Sequence, residues 1–297
     1  MAFGLDGRIR QTVSGLDRPN NVDVAQGVRI EGIGEVDVAV TTERLQHQLR
    51  VFAIDKNLGR LTDIGGVPVL VGESGARSEP MGIALYRRPS DDALFAIVAP
   101  KTGGSTGYLW QYRLEGDGHG GIRGVKVRQF GTFSGKGSAP GDVGEIEAVV
   151  VDAELGYVYY ADERDGIHKW HADPDHPDAS RELARFGTSG YQLDREGLAI
   201  YQLPNGRGFI VSTDQIPGGS ILKFYRREGK HGDPHDHTEL VAQLRTTADD
   251  TDGIEVSSTA LPGFPGGLLV AMNSGPKNFA LFSWDALCKA ASAELCR

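Results

Sequence analysis

The chain has 297 residues and a formal net charge of −9, with 41 glycines, 14 prolines and two cysteines. The acidic balance argues against nucleic acids and anionic membranes as partners, and no apolar run reaches the length of a transmembrane helix. The length suits one large all-β domain or two ordinary ones. The glycine and proline content predicts many short strands and turns, and the opening residues look like a strand and not like a signal peptide.

Five segments of the chain share one layout. In each, an acidic or amide-rich turn leads into an apolar strand, a second strand follows that is rich in Val, Ile, Tyr and Phe, and a third strand ends in a charged hairpin. The segments start near residues 22, 81, 147, 196 and 252, so they repeat every 49 to 66 residues. Three or four short antiparallel strands per repeat, with no helical period between them, are typical of the blades of a β-propeller.

The second and third strands of the five segments are predicted in chain order at Val36–Thr41 and Leu49–Ile54, Leu94–Val98 and Tyr108–Tyr112, Tyr157–Tyr160 and Gly166–Trp170, Gly208–Val211 and Ser220–Tyr225, and Gly267–Ala271 and Phe279–Trp284. Outside the repeats, Phe3–Ile9 resembles the end of an outer hairpin whose blade is missing, and Trp284–Leu295 is predicted to be a short helix. The sequence therefore predicts one all-β propeller domain over residues 1–297, with five complete blades and a remnant strand.

Two groups of reactive side chains lie away from the strand starts. Cys288 and Cys296 in the C-terminal tail could close a small disulfide in an oxidising compartment or remain two free thiols, and the sequence leaves both open. The histidine-rich stretch His231–His237 resembles a metal loop. It falls in a hairpin between two predicted strands, so we expect it at the outer edge of its blade.

Pairs of carboxylates stand where three of the first strands begin: Glu145 with Glu147, Asp194 with Glu196, and Asp250 with Asp252. Residues i and i+2 of a strand point to the same face. In a propeller the first strand of every blade lines the central channel, and these strands enter from one end. We therefore expect the pairs to converge on one mouth, together with the residues at the same position in the other two repeats, which are Asn21, Asp23 and Glu79.

Several carboxylates without counter-charges are costly to keep ionised, and a hard divalent cation relieves that cost. Calcium takes six to eight oxygen ligands, whereas zinc and copper favour histidine and cysteine, which are absent from these positions. A single acidic pair is usually an exposed turn. Three pairs in register across repeats favour a cation site.

Basic residues occupy an equivalent place in the first two repeats. Arg44 follows the second strand of the first repeat and Lys101 that of the second, where the third and fourth repeats carry Asp162-Glu163 and Asp214-Gln215. A lone Arg or Lys is usually a solvated side chain. Cations and metal-binding acids at the same repeat position suit a ligand rich in phosphate.

Four stretches carry a resemblance to a known family, the β-propeller phytases. These are Arg18–Val24, Val51–Asp55, Leu193–Tyr201 and Asp249–Glu255. The resemblance implies a six-bladed propeller that binds several Ca²⁺ ions, with the N-terminal part of the first blade lacking here. It implies a 3-phytase-type phosphoric monoester hydrolase that converts phytate, myo-inositol hexakisphosphate, to lower inositol phosphates and phosphate. The nucleophile would be a water bridging two ions, and the protein a secreted or periplasmic monomer.

The resemblance also implies roles for individual residues. Glu147, Glu163, Glu196 and Asp252 would be the catalytic carboxylates, and Arg44 and Lys101 would bind substrate phosphate. The expected metal ligands are Asn21, Asp23, Glu147, Glu163, Asp194, Glu196, Gln215, Asp250 and Asp252.

Two other functions remain open on the sequence. One is a non-catalytic, calcium-stabilised propeller that binds ligands or proteins, favoured by the missing first blade. The other is a propeller hydrolase of the lactonase type, which also uses Ca²⁺ but does not need Arg44 and Lys101. The sequence does not say which phosphate would be removed first.

Overall fold

A computed structural model describes residues 1–137, 139 and 141–296. Over these residues the chain forms five antiparallel sheets of three or four strands and one two-stranded sheet. Strands that follow one another in sequence are neighbours in each sheet, which is the meander of a propeller blade. The all-β, propeller-type fold predicted from the repeats is confirmed. The described chain divides into two compact units, so the prediction of a single domain over 1–297 stays a prediction.

Unit 1 comprises residues 1–133 and 172–176 and contains two four-stranded sheets. Its valine-rich second strands pack face to face, because β-branched side chains fill a pleated, buried surface well; Val38, Val40 and Val98 are fully buried. The strands are β1 (Ala2–Phe3), β2 (Ile9–Gln11), β3 (Pro19–Ile30), β4 (Gly34–Glu43), β5 (Gln48–Asp55), β6 (Arg60–Pro68), β7 (Pro80–Arg87), β8 (Leu94–Pro100), β9 (Thr106–Gly116) and β10 (Ile122–Thr132), with a 3₁₀ turn at Gly75–Ser78.

The predicted remnant strand is a short hairpin of unit 1. Strands β1 and β2 pair only with each other, and the Gln11 side chain bonds the outer strand β6. Its amide nitrogen donates to the Leu61 carbonyl over 2.9 Å and its oxygen accepts from the Leu61 N–H over 2.7 Å. The hairpin is therefore anchored to the first sheet by a side chain.

Unit 2 comprises residues 134–171 and the chain from residue 177 onward, and contains the third, fourth and fifth sheets. Two apolar clusters fill the space between the sheets. Tyr159, Phe186 and Ile210 belong to one cluster, and Phe209 and Leu269 belong to the other. The strands are β11 (Val149–Asp152), β12 (Tyr157–Asp162), β13 (Gly166–His171), β14 (Ala184–Phe186), β15 (Leu198–Gln202), β16 (Gly208–Ile216), β17 (Gly219–Arg226), β18 (Leu240–Thr246), β19 (Ile254–Ser257), β20 (Leu268–Asn273) and β21 (Asn278–Ser283).

The C-terminal helix α1 (Trp284–Ala291) caps the fifth sheet. Its Trp284 ring stacks on Tyr201 with centroids 3.5 Å apart. The helix stops earlier than the predicted Leu295 because Ser292 is extended, and a 3₁₀ turn follows over Ala293–Cys296. Cys288 and Cys296 form a disulfide, which decides between the two alternatives that the sequence left open. Within the described residues, no helix is long and apolar enough to cross a membrane.

Candidate functional site

One backbone hydrogen bond recurs in all five sheets at the predicted site. The donor is the N–H of a residue at the end of the second strand. The acceptor is the carbonyl of a residue that precedes the first strand or begins it. We call these two residues the rim pair of a sheet. The five bonds are Arg44 to Arg18 (3.2 Å), Lys101 to Glu79 (2.8 Å), Glu163 to Glu145 (3.5 Å), Gln215 to Asp194 (2.9 Å) and Ser274 to Asp249 (3.0 Å).

The rim pairs fix which side chains meet. Because the bond uses backbone atoms only, it forms in each sheet with any side chain other than proline at the donor. The rim pairs of unit 1 carry Arg18, Arg44, Glu79 and Lys101, and those of unit 2 are acidic, amide or hydroxyl residues. The two units thus present opposite charges from one backbone arrangement.

In unit 2 two acidic rim residues, Glu163 and Asp194, form an acid cluster with Glu147, Glu196 and Asp252. The pKa of Glu163 is raised to about 8, first by burial and then by the charges of Asp194, Glu145 and Glu147. The pKa of Glu196 is raised to about 10, first by burial and then by Glu163, Glu147, Asp194 and Asp252. The charged forms of Glu163 and Glu196 are therefore destabilised by burial and by neighbouring carboxylates.

Asp252 brings the fifth sheet to this cluster. It is half-buried, and its pKa is raised by burial and by the charge of Asp250. Asp250 is exposed, with a left-handed backbone (φ 50°), and accepts a hydrogen bond from the Gln215 amide over 3.2 Å. The predicted ligands Gln215, Asp250 and Asp252 therefore lie together where the fourth and fifth sheets meet.

Gly197 explains how the fourth and fifth sheets come so close. A Cβ at this position would lie 2.9 Å from Cγ1 of Ile254 and 3.2 Å from its backbone nitrogen. Any larger residue directly after Glu196 would push the two first strands apart. The glycine of the Leu193–Tyr201 stretch therefore serves to bring Glu196 and Asp252 near each other.

Asp194 is a member of the acid cluster that has a cationic partner. Arg164 forms an ion pair with its carboxylate, and both side chains are mostly covered. To bind a metal, Asp194 would have to share its charge with that guanidinium. Its backbone carbonyl is already occupied by the rim-pair bond.

The donor set of the acid cluster fits a hard cation. It consists of carboxylates with the Gln215 amide nearby, and neither histidine nor cysteine is among them. In the part of the chain that the structure describes, these carboxylates do not form a group of three with ligand atoms within 4.8 Å of one another.

A tighter group in unit 2 has Asp162, Asp165 and His168 within that distance. Asp165 already binds Lys136 Nζ at 2.6 Å and Arg185 Nη1 at 2.8 Å. Its charge is thus neutralised by protein cations. The group is therefore a charge network that supports the third sheet.

In unit 1 three cations surround one carboxylate. The buried Arg44 donates from Nε (3.2 Å) and Nη2 (2.6 Å) to Oε2 of Glu79. The pKa of Glu79 is lowered, first by this hydrogen bond and also by the charges of Arg44, Lys101 and Arg18, against a smaller effect of burial. We call Arg18, Arg44 and Lys101 the basic cluster.

Arg18 was not among the predicted site residues. It occupies the rim position that holds an acid in the second to fifth sheets, and its backbone is left-handed (φ 53°). Aligning the five repeats on the rim pair would have found it. It is hard to recognise in the sequence because Pro19 and two asparagines follow it, so this repeat lacks the acidic residues that mark the first-strand start in the other repeats.

Asn21 and Asp23 lie in unit 1, on β3. The Asp23 carboxylate accepts hydrogen bonds from the N–H groups of Leu85 and Val24, both at 2.6 Å. Burial raises its pKa to about 6, and these two bonds partly oppose the rise. The Asn21 N–H donates to the Thr42 hydroxyl over 3.1 Å. Asp23 thus connects the first two sheets, and its assignment as a metal ligand stays a prediction.

Comparisons of the sequence with known proteins find a family and a related enzyme. The model of the Phytase family matches residues 1–295. A 3-phytase of Bacillus subtilis (strain 168) is 28% identical over 307 residues, which cover 97% of this chain and 73% of that protein.

Two solved structures share the fold. One is a chain of Polycomb Repressive Complex 2 from Chaetomium thermophilum bound to GSK126, with a TM-score of 0.53 and 15% identity over 94% of this chain and 56% of that one. The other is a protein from Lactobacillus plantarum, with a TM-score of 0.56 and 15% identity over 92% of this chain and 69% of that one. At that identity the likeness concerns the fold alone, whereas the family match extends over nearly the whole sequence. This chain belongs to the Phytase family.

Proposed function

We propose that this chain hydrolyses phytate, releasing phosphate in a reaction that depends on calcium bound at the acid cluster. The observation that carries the proposal is the accumulation of half-buried carboxylates, two of which, Glu163 and Glu196, have pKa values raised first by burial and then by neighbouring carboxylates. Family membership and the 3-phytase relative support phytate as the substrate.

The acid cluster would hold the cations. Glu147, Glu163, Glu196 and Asp252 are the carboxylates whose positions at the ends of three sheets suit shared coordination of hard ions. Calcium, when bound, supplies the positive charge that lets an acidic protein accept a polyanion. Asp194 already contacts Arg164, and Asp250 already contacts Gln215. These two aspartates would coordinate a cation by sharing their carboxylates between it and those partners.

The basic cluster would bind substrate phosphate. Arg18, Arg44 and Lys101 carry three positive charges around the single negative charge of Glu79. A guanidinium offers several N–H donors in a fixed plane, so Arg44 has the capacity to bind a phosphate oxygen while it keeps Glu79. Glu79 thereby becomes a residue that orients Arg44.

The test measures phosphate release from phytate in calcium, in chelator, and after calcium is restored. We expect release in calcium, its loss in chelator, and its return. Glu239→Gln is a matched control, because Glu239 is an exposed glutamate outside the acid cluster. A well-folded chain that gains thermal stability from calcium but releases no phosphate would instead be a calcium-stabilised binding module.

A further inference from the structure

We propose that Arg195 is a positioning residue, whose buried guanidinium holds the backbone of the acid cluster in place without neutralising its carboxylates. Its place in the sequence is between Asp194 and Glu196, two members of the cluster. This inference rests on the proposed calcium site and names the residue on which its geometry depends.

The contacts of Arg195 are to carbonyl oxygens. Only 4% of the residue is exposed. Its Nη1 donates to the Glu163 carbonyl over 2.7 Å, and Nε and Nη2 donate to the Gly187 carbonyl over 2.9 and 2.5 Å. Its backbone N–H also donates to Glu163 over 3.4 Å, and its guanidinium lies 4.0 Å from the ring centroid of Tyr191. One side chain thus joins the third sheet to the segment that carries Asp194 and Glu196.

The residues just before Asp194, 187–193, are also held by buried charges. Lys223 is 2% exposed and donates to the Gly190 carbonyl over 2.7 Å. Asp214 is fully buried and accepts hydrogen bonds from the N–H groups of Gln192 (2.9 and 3.0 Å) and Leu193 (2.9 Å). Arg195 is the third charge in this set. It is the member that reaches across to a residue of the acid cluster.

For a metal site it matters which atoms the Arg195 guanidinium contacts. A guanidinium on a ligand carboxylate competes with the ion for the same oxygen lone pairs, as Arg164 does at Asp194. A guanidinium on the carbonyl of Glu163 holds the residue and leaves its carboxylate available. When a group that hydrogen-bonds to a metal-binding residue and orients it is removed, the affinity for the metal falls by about 10- to 100-fold.

The experiment measures calcium binding by titration calorimetry for the wild type, Arg195→Met and Arg195→Lys, with Arg207→Met as the matched control. Arg207 is exposed, and Nε is 4.0 Å from its Glu228 partner. Thermal unfolding in chelator reports stability for each variant separately. We expect Arg195→Met to bind calcium about tenfold more weakly or worse. Arg195→Lys should be intermediate because one ammonium reaches one of the two carbonyls, and Arg207→Met should match the wild type.

Two results would overturn the inference, and they differ. If the wild type binds calcium and Arg195→Met binds it equally well, Arg195 supports the fold alone, whatever its effect on unfolding. If the wild type binds no calcium, the proposed function fails and the inference fails with it. Should Arg195→Met not fold, Arg195→Lys decides, because unchanged affinity in that variant contradicts the role.

Discussion

Glu79 in unit 1 and Glu163 in unit 2 are both rim-pair glutamates, yet their electrostatics are opposite. Three cations lower the pKa of Glu79, whereas other acids help to raise the pKa of Glu163 to about 8. Glu79 supplies the carbonyl of its rim-pair bond, whereas Glu163 supplies the N–H of its own. The difference teaches that a rim-pair glutamate becomes an ion-pair partner or a candidate ligand according to the charges of the residues around it.

The largest expected effect comes from the acid cluster. Glu196→Gln should lower calcium-dependent phosphate release by about 100-fold, since it removes a carboxylate that would coordinate the cation. The calcium-free protein should be at least as stable as the wild type, because an amide, unlike Glu196, needs no proton uptake to be buried beside the other carboxylates. Activity and thermal unfolding of this variant beside Glu239→Gln measure both. Full activity in Glu196→Gln would contradict the assignment.

The basic cluster should give a smaller and different effect. Arg44→Met should raise the KM for phytate by about tenfold, the order expected when one hydrogen bond to a charged group is lost. Calcium affinity should stay unchanged, because Arg44 lies outside the acid cluster. Steady-state kinetics with calcium titrations separate the two quantities. Weakened calcium binding in Arg44→Met would show that the two clusters do not act separately.

The pH dependence of stability should give the smallest effect. The ordinary pKa of a glutamate is 4.5, and the folded chain raises it to about 8 at Glu163 and about 10 at Glu196. Between these values the folded state holds more protons than the unfolded state, so in chelator the contribution is fully present below about pH 4.5 and is lost as pH rises through 8 and 10. Thermal unfolding at several pH values measures this trend. Saturating calcium should weaken or reverse it, because calcium binds the ionised form.

The repeat and most strands could be predicted from sequence because they depend on local alternation and turn residues. The strand starts also indicated Glu147, Glu196 and Asp252 as site residues. Their signal is a pair of carboxylates two residues apart, which can be recognised within a few neighbouring residues. Arg18 was missed because the acidic signature is absent from its repeat, although an alignment of the five repeats on the rim pair would have found it. Arg195 was missed because its role depends on which carbonyls lie beside its side chain. That arrangement comes from packing, which no local pattern of the sequence encodes.

Other features show the same limit. The ion pair of Arg164 with Asp194 depends on side-chain direction, and the sequence indicated Asp194 only as a ligand. His237 was expected at a blade edge. It is buried, with Nδ1 2.7 Å from the Arg226 carbonyl and Nε2 3.0 Å from Nζ of the buried Lys169. The resemblance to a metal loop therefore reflects a packed histidine.

The rim pair has a consequence for how such proteins change over time. Its hydrogen bond belongs to the backbone, so a new side chain at that position leaves the register intact. Arginine, lysine, glutamate, glutamine and serine all occupy the second-strand rim position in this one chain. Point substitutions other than proline at these five positions would therefore change the charge at the strand ends while this backbone hydrogen bond is kept. The charge at each strand end can thus change separately from the hydrogen bond that holds the strand.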